Sequence, residues 1–164
     1  MYAERITGIG QATIILVRKS GFVALAIRCR GGTMKKISDQ ILDDLVRKNI
    51  RLISGGYCKR CRKYVGIENI EVAHLYPRRR KTVRWDLRNV WPLCKNNLAT
   101  GEKGCHQIID EDHIKKASFQ YDVMTREEVA ELERIASLTL KDYPIDREAI
   151  KASLKEKNRI LEER

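Results

Sequence analysis

The stretch YCKRCRKYVGIENIEVAHLYPRRRKTVRWDLRNVWPLC, residues 57–94, decides how the chain folds. It opens on Cys58-Lys59-Arg60-Cys61, a Cys-x2-Cys knuckle. Two thiolates at that spacing can turn toward one ion, as tetrahedral zinc requires. The stretch closes on Cys94, and Cys105 follows eleven positions later. Four cysteines complete a closed structural site for Zn²⁺, which contributes folding free energy directly. Zinc with a different fourth ligand, or Cys94 or Cys105 as a small buried residue, are the competing readings. One departure stands out. A second knuckle would put cysteine at position 97, where the chain has Asn97. Either a loop is inserted there or the site is incomplete.

Between the cysteines the pattern is strand, strand, helix. Residues 67–75 read as a strand carrying Ile67, Ile70, Val72 and His74, stopped by Pro77. Residues 78–88 are a basic loop. Residues 89–93 read as a second short strand, and 95–104 as a Gly/Asn/Lys-rich loop. Residues 105–118 read as a helix with Ile108, Ile109 and Ile114 facing inward. The fold class expected is α+β, a small core with a zinc site flanked by helices.

Outward from this core, Ile37, Ile41, Leu42, Leu45 and Val46 recur at helical spacing over residues 37–48, with Ser38 as cap. Gly55-Gly56 ends that segment. Thr125 and Glu128 match a capping box. Val129, Leu132, Ile135 and Ala136 then form an amphipathic stripe. Pro144 breaks the run, and Asp146 caps a last helix holding Ile150, Leu154 and Leu161. At the other end, Thr13–Val17 and Phe22–Ile27 could pair as a hairpin around residues 18–21, or form a loosely ordered arm. Met34, followed by Lys35-Lys36, is an alternative natural start. The divisions are therefore 1–33 as arm or hairpin, 34–54 as a leading helix, 55–118 as core and 119–164 as a helical region.

Composition narrows the partners. The chain has 164 residues, 6% of them aromatic and 34% charged. Its core is therefore modest, and a metal staple suits it. The net charge of +11 points to a polyanion, nucleic acid or an anionic membrane surface. That charge is focused: residues 59–95 hold eleven Lys and Arg against three acidic residues. Residues 125–164 hold nine against ten. The apolar pieces 12–17 and 22–27 are split by Arg18 and Lys19, so neither spans a bilayer. With no secretory signal in view, a cytoplasmic, reducing location is the default, where clustered cysteines read as metal ligands. Monomer and homodimer are both open.

The histidines add a second layer. His74 follows Glu71-Val72-Ala73, Asn89 follows Arg84-Trp85-Asp86-Leu87-Arg88, and His106 follows Cys105 directly. Over about residues 55–115 this set resembles the HNH nuclease superfamily, and Arg-Trp-Asp before Asn is similar to its phage recombination-protein branch. The resemblance implies a ββα-metal (His-Me) finger acting as a DNA endonuclease. His74 would be the general base, and His106 would bind a catalytic Mg²⁺ or Mn²⁺. Asn89 would either hold the loop and orient His74 or touch the metal. Glu71 is nominated as a further ligand, because Ala73 occupies a position where relatives carry one. Neighbouring side chains at a helix start point roughly 100° apart, so Cys105 and His106 would serve different sites.

Arg78, Arg79, Arg80, Lys81 and Arg84 would lie along the phosphate backbone of duplex or branched DNA. A different class of function competes: a non-catalytic zinc module that binds DNA or RNA. The cysteines and the basic loop would serve it equally, without need of His74, Asn89 and His106 together.

Overall fold

The computed structural model describes residues 3–7, 12–19, 22–29, 37–97 and 99–163. The chain divides into two units, residues 1–36 and 37–164. In the first, β1 (Ala3–Thr7), β2 (Ala12–Lys19) and β3 (Phe22–Cys29) form an antiparallel sheet in that order. Lys19 lies opposite Phe22 and Ala3 opposite Val17. Met34 lies outside the described residues.

The second unit is a small α+β fold around a two-stranded antiparallel sheet. Its strands are β4 (Ile70–His74) and β5 (Val90–Cys94), with Ile70 opposite Cys94 and His74 opposite Val90. Pro92 is tolerated because each strand of a two-stranded sheet has a free edge. The helices are α1 (Asp39–Ser54), α2 (Cys105–Glu111), α3 (His113–Val123), α4 (Arg126–Ser137) and α5 (Arg147–Glu162). Among the described residues no helix is long and apolar enough to cross a membrane.

Side-chain chemistry sets most helix ends. Ser38 accepts the Ile41 N–H at 3.3 Å, and Gly55 closes α1 at φ +53°. α1 thus runs six residues beyond the segment read from its apolar spacing, and Ile50 joins Leu42 and Val46 on its buried face. Thr125 and Glu128 form a reciprocal capping box, and Asp146 accepts the Ala149 N–H at 3.0 Å. The single helix expected over 105–118 is two. The Asp112 carboxylate accepts the Ile114 and Lys115 N–H groups, ending α2 and starting α3. The break turns Ile114 outward to 84% exposure, and Ile109 alone of the three isoleucines is fully buried.

Two apolar clusters cover opposite faces of the β4–β5 hairpin. Ala73, Leu75 and Leu93 pack with Ile109, Phe119, Leu132 and Ile135 from α2, α3 and α4. Val72 and Val90 pack with Val46, Ile50, Trp85 and Leu154 on the α1–α5 side. Side chains alternate along a strand, so the two sets follow from strand parity. Helices α1 and α5 are also locked by a buried amide pair. Asn49 Nδ2 donates to Asn158 Oδ1 at 2.8 Å, and Asn158 Nδ2 donates to the Leu45 carbonyl at 3.1 Å.

The 78–88 loop is clamped to the start of α1. Arg84 reaches Asp43 through Nε at 3.0 Å and Nη2 at 2.5 Å, and Asp39 through Nη1 at 3.0 Å. Trp85 Nε1 donates to Asp43 at 2.8 Å. Lys81 and Arg147 both pair with Asp39. Hydrogen bonds from Lys81 and then Arg147 hold the Asp39 carboxyl down to about 2. Arg147 stacks 4.7 Å from the centre of the Trp85 ring. Removing Asp43 would leave the Arg84 guanidinium, only 13% exposed, with Asp39 alone and would strand the Trp85 indole N–H. Asp43→Ala is therefore expected to cost about 3 kcal/mol in urea unfolding. Asp44→Ala, which removes an exposed pair with Arg47, should cost under about 1 kcal/mol.

Candidate metal centre

The sulfurs of Cys58, Cys61, Cys94 and Cys105 all lie within 4.8 Å of one another. Tetrahedral Zn–S bonds of about 2.3 Å would set sulfurs about 3.8 Å apart, so a slight contraction completes the site. Three separate segments deliver them. The knuckle turns through Arg62, whose φ is +60°, with Arg62 N–H donating to the Cys58 carbonyl at 2.8 Å. It is tied to the hairpin by Lys59 N–H donating to the Pro92 carbonyl at 2.8 Å. Cys94 ends β5, and Cys105 begins α2 with its N–H donating to Cys94 Sγ at 3.2 Å.

The insertion at Asn97 has a structural form. Asn97 pairs with Glu102 across an antiparallel bridge, and Gly101 N–H returns to the Asn97 carbonyl at 2.9 Å. Asn96 Oδ1 then accepts the Gly104 N–H at 2.8 Å. This small loop bulges out and brings the chain back, so Cys105 takes the place a cysteine at 97 would have had. Gly104 is needed for the return. A Cβ there would lie 2.3 Å from the Lys95 carbonyl carbon and 2.5 Å from the Cys94 oxygen.

The donor chemistry fits a cation. Burial raises the Cys94 thiol to about 12, and the neighbouring Cys58 and Cys105 add to it. Cys61 is raised too, by burial first and then by Cys58 and Cys105. Burial also works on Cys58, but N–H groups of Cys61, Cys94 and Arg60 outweigh it and bring that thiol below its ordinary range. A divalent ion would offset the burial and the repulsion that raise Cys94 and Cys61. Four thiolates and one Zn²⁺ sum to two negative charges. Arg60 Nη1, 3.6 Å from Cys105 Sγ, offsets part of them.

The histidines stand elsewhere. No histidine belongs to the cluster. Glu71 and His74 are three apart on β4 and so face opposite sides of the hairpin. His74 lies under α1 with Asp43, Val46, Arg47, Val72 and Arg78. His106 sits across the sheet on α2, its Nδ1 2.6 Å from Glu71 Oε2 and its Nε2 3.4 Å from Asp110 Oδ2. Asn89 is fully buried. Its Oδ1 accepts the Tyr76 N–H at 2.7 Å, and its Nδ2 donates to the Tyr76 and Val83 carbonyls at 3.1 and 3.0 Å. It holds the loop.

These placements correct the functional expectation. The four ligands that converge are all cysteines, so a histidine-dependent hydrolysis of DNA phosphodiesters is not what this centre is built for. His74 lies on the α1 face of the hairpin and His106 on the α2 face, where it meets Glu71, and neither joins the cysteine cluster. Among the described residues no second group of ligands converges to hold Mg²⁺ or Mn²⁺. The endonuclease, phage and recombination assignments fall with them. The cluster supports a structural zinc role.

The basic residues also divide. Lys81 and Arg84 are engaged by Asp39 and Asp43, and Arg88 by Asp86 at 2.6 Å. Arg78, Arg79 and Arg80 are exposed and form no ion pair among the described residues. No family model, curated protein or solved structure matches the chain.

Two outcomes follow from this geometry. Gly104→Ala should weaken metal affinity about tenfold or more in a chelator competition, because the added methyl meets backbone atoms. The second concerns His74. Burial, and next the Arg78 charge, push its imidazole from 6.5 down to about 4, against the pull of Asp43. Above pH 6.5 the ring is neutral in both states. Between 6.5 and 4 the unfolded chain takes a proton that the folded chain refuses. Stability should therefore fall as pH falls through that window, by at most roughly 3 kcal/mol. NMR titration should give a His74 midpoint near 4, and His74→Gln should flatten the pH dependence.

Proposed function

We propose that this chain is a nucleic-acid-binding module whose zinc is structural and whose contacts are made to the phosphate backbone. The observation that carries this is the state of Arg78, Arg79 and Arg80. They are exposed and unpaired among the described residues, on a loop whose neighbours are all fixed. Arg80 N–H donates to the Pro77 carbonyl at 2.8 Å, Asn89 grips Tyr76 and Val83, and Lys81 and Arg84 are anchored to α1. Three guanidinium groups are thus displayed on a supported loop. Arginine suits phosphate oxygens through its planar fork. Such contacts position a protein on a polyanion without reading sequence.

The internal pairing sharpens this account. Lys81, Arg84, Arg88 and Arg60 neutralise charges within the protein, so the net charge overstates what reaches a ligand. Arg78, Arg79 and Arg80 lie together on one loop, which favours a salt-sensitive affinity.

The experiment is a salt titration of binding to a fluorescent oligonucleotide. Wild type should show a linear loss of log Kobs with log salt. Replacing Arg78, Arg79 and Arg80 together with Gln should reduce that slope by about 2–3. His74→Gln should bind as wild type does. Absence of binding at low salt, or an unchanged slope in the triple variant, would contradict the proposal.

A further inference from the structure

The zinc knuckle carries two aromatic rings on its outer surface. Tyr57 and Tyr64 face each other across an antiparallel bridge, with ring centres 5.1 Å apart and planes at 63°. Tyr57 is 56% exposed and Tyr64 66%, although both flank a buried cysteine cluster. Tyr64 is seated rather than dangling. Its ring lies against Gly56, where a Cβ would come within 2.7 Å of Cε2 and where φ is +85°. Lys59, Arg62 and Lys63 lie between the two tyrosines in the chain, exposed and in no ion pair among the described residues, with Lys59 Nζ 5.7 Å from the centre of the Trp91 ring. A groove of about 600 Å³ opens beside Tyr57, with Lys59 and Arg62 along it and Pro92 and Phe119 also lining it. Asp122 is the one acidic side chain lining it.

We infer that this face of the knuckle is a stacking platform for unpaired bases of single-stranded nucleic acid. The inference rests on the nucleic-acid reading above and adds the class of ligand. Bases in a duplex hide their faces against one another, whereas an unpaired base offers a face to an aromatic ring. Tyr64 supplies the more open ring, the groove beside Tyr57 receives a neighbouring base, and Lys59, Arg62 and Lys63 meet the phosphates between. Stacking of this kind is tolerant of sequence. The platform and the Arg78–Arg80 loop sit toward opposite ends of the hairpin. The knuckle meets the hairpin at Pro92 and Cys94, and the Arg78–Arg80 loop leaves it beyond the His74–Val90 pair, so the two surfaces can be altered independently.

The test is fluorescence anisotropy of the full zinc-loaded chain with a 12-nucleotide oligothymidylate and with a 12-base-pair duplex. The variant Tyr57→Leu/Tyr64→Leu keeps apolar bulk and removes both π faces. Zinc content and thermal unfolding report whether its knuckle is intact. Single-strand affinity should fall at least about fivefold while duplex affinity stays unchanged. Tyr57→Phe/Tyr64→Phe should bind like wild type, and Tyr64→Trp should bind the single strand more tightly. Single-strand binding by the leucine variant equal to wild type would overturn the platform. So would an equal loss on both ligands. If the leucine variant fails to fold, Tyr64→Trp decides, and no gain there overturns the inference. Loss of binding in the Arg78–Arg80 variant with none in the leucine variant removes the platform alone. Absence of wild-type binding to either ligand removes the nucleic-acid reading as well.

Discussion

Four sulfur atoms from three pieces of chain converge within 4.8 Å of one another. The knuckle, the end of β5 and the start of α2 meet at Cys58, Cys61, Cys94 and Cys105. Each piece is short. α2 has seven residues and each strand of the hairpin five, lengths at which neither a helix nor a hairpin stands alone. A zinc ion held there would add folding free energy to a core with few aromatic residues. Gly104 shows how tightly the arrangement is drawn, since even one methyl group would displace α2 from β5.

A second constraint acts on the other side of the hairpin. Asp39 and Asp43, on the first turns of α1, gather Lys81, Arg84, Arg147 and the Trp85 indole. This fixes the loop that leaves β4 and joins α1 to α5. It also changes the meaning of the basic charge. Cations that look like ligand contacts along the sequence are internal ties in the fold. Arg78, Arg79 and Arg80, and Lys59, Arg62 and Lys63 on the knuckle, are among those left exposed and outside these ties.

Much of this was legible along the chain, and the parts that were not have physical reasons. The Cys-x2-Cys knuckle, the two strands and the capping residues Ser38, Thr125 and Asp146 are local signals, and local chemistry decides them. The Asn97 departure was equally local, and its resolution as an inserted turn needed only the Asn97–Glu102 bridge. Asp112 could have been read as a cap that splits the helix and exposes Ile114. The pairing of Lys81 and Arg84 with Asp39 and Asp43 spans about forty residues and leaves no pattern in sequence. The placement of His74 is the instructive case. Residues three apart on a strand point to opposite faces, so Glu71 turns toward His106 on α2 while His74 turns toward α1. Residue types and spacing carry the family resemblance, whereas the face each side chain takes is set by parity along the strand.

The centre itself is what X-ray absorption at the zinc edge measures most directly on the purified chain. The account predicts one zinc per chain surrounded by four sulfur scatterers at about 2.3 Å. Nitrogen or oxygen scatterers at about 2.0–2.1 Å in the first shell, or no bound zinc, would contradict it.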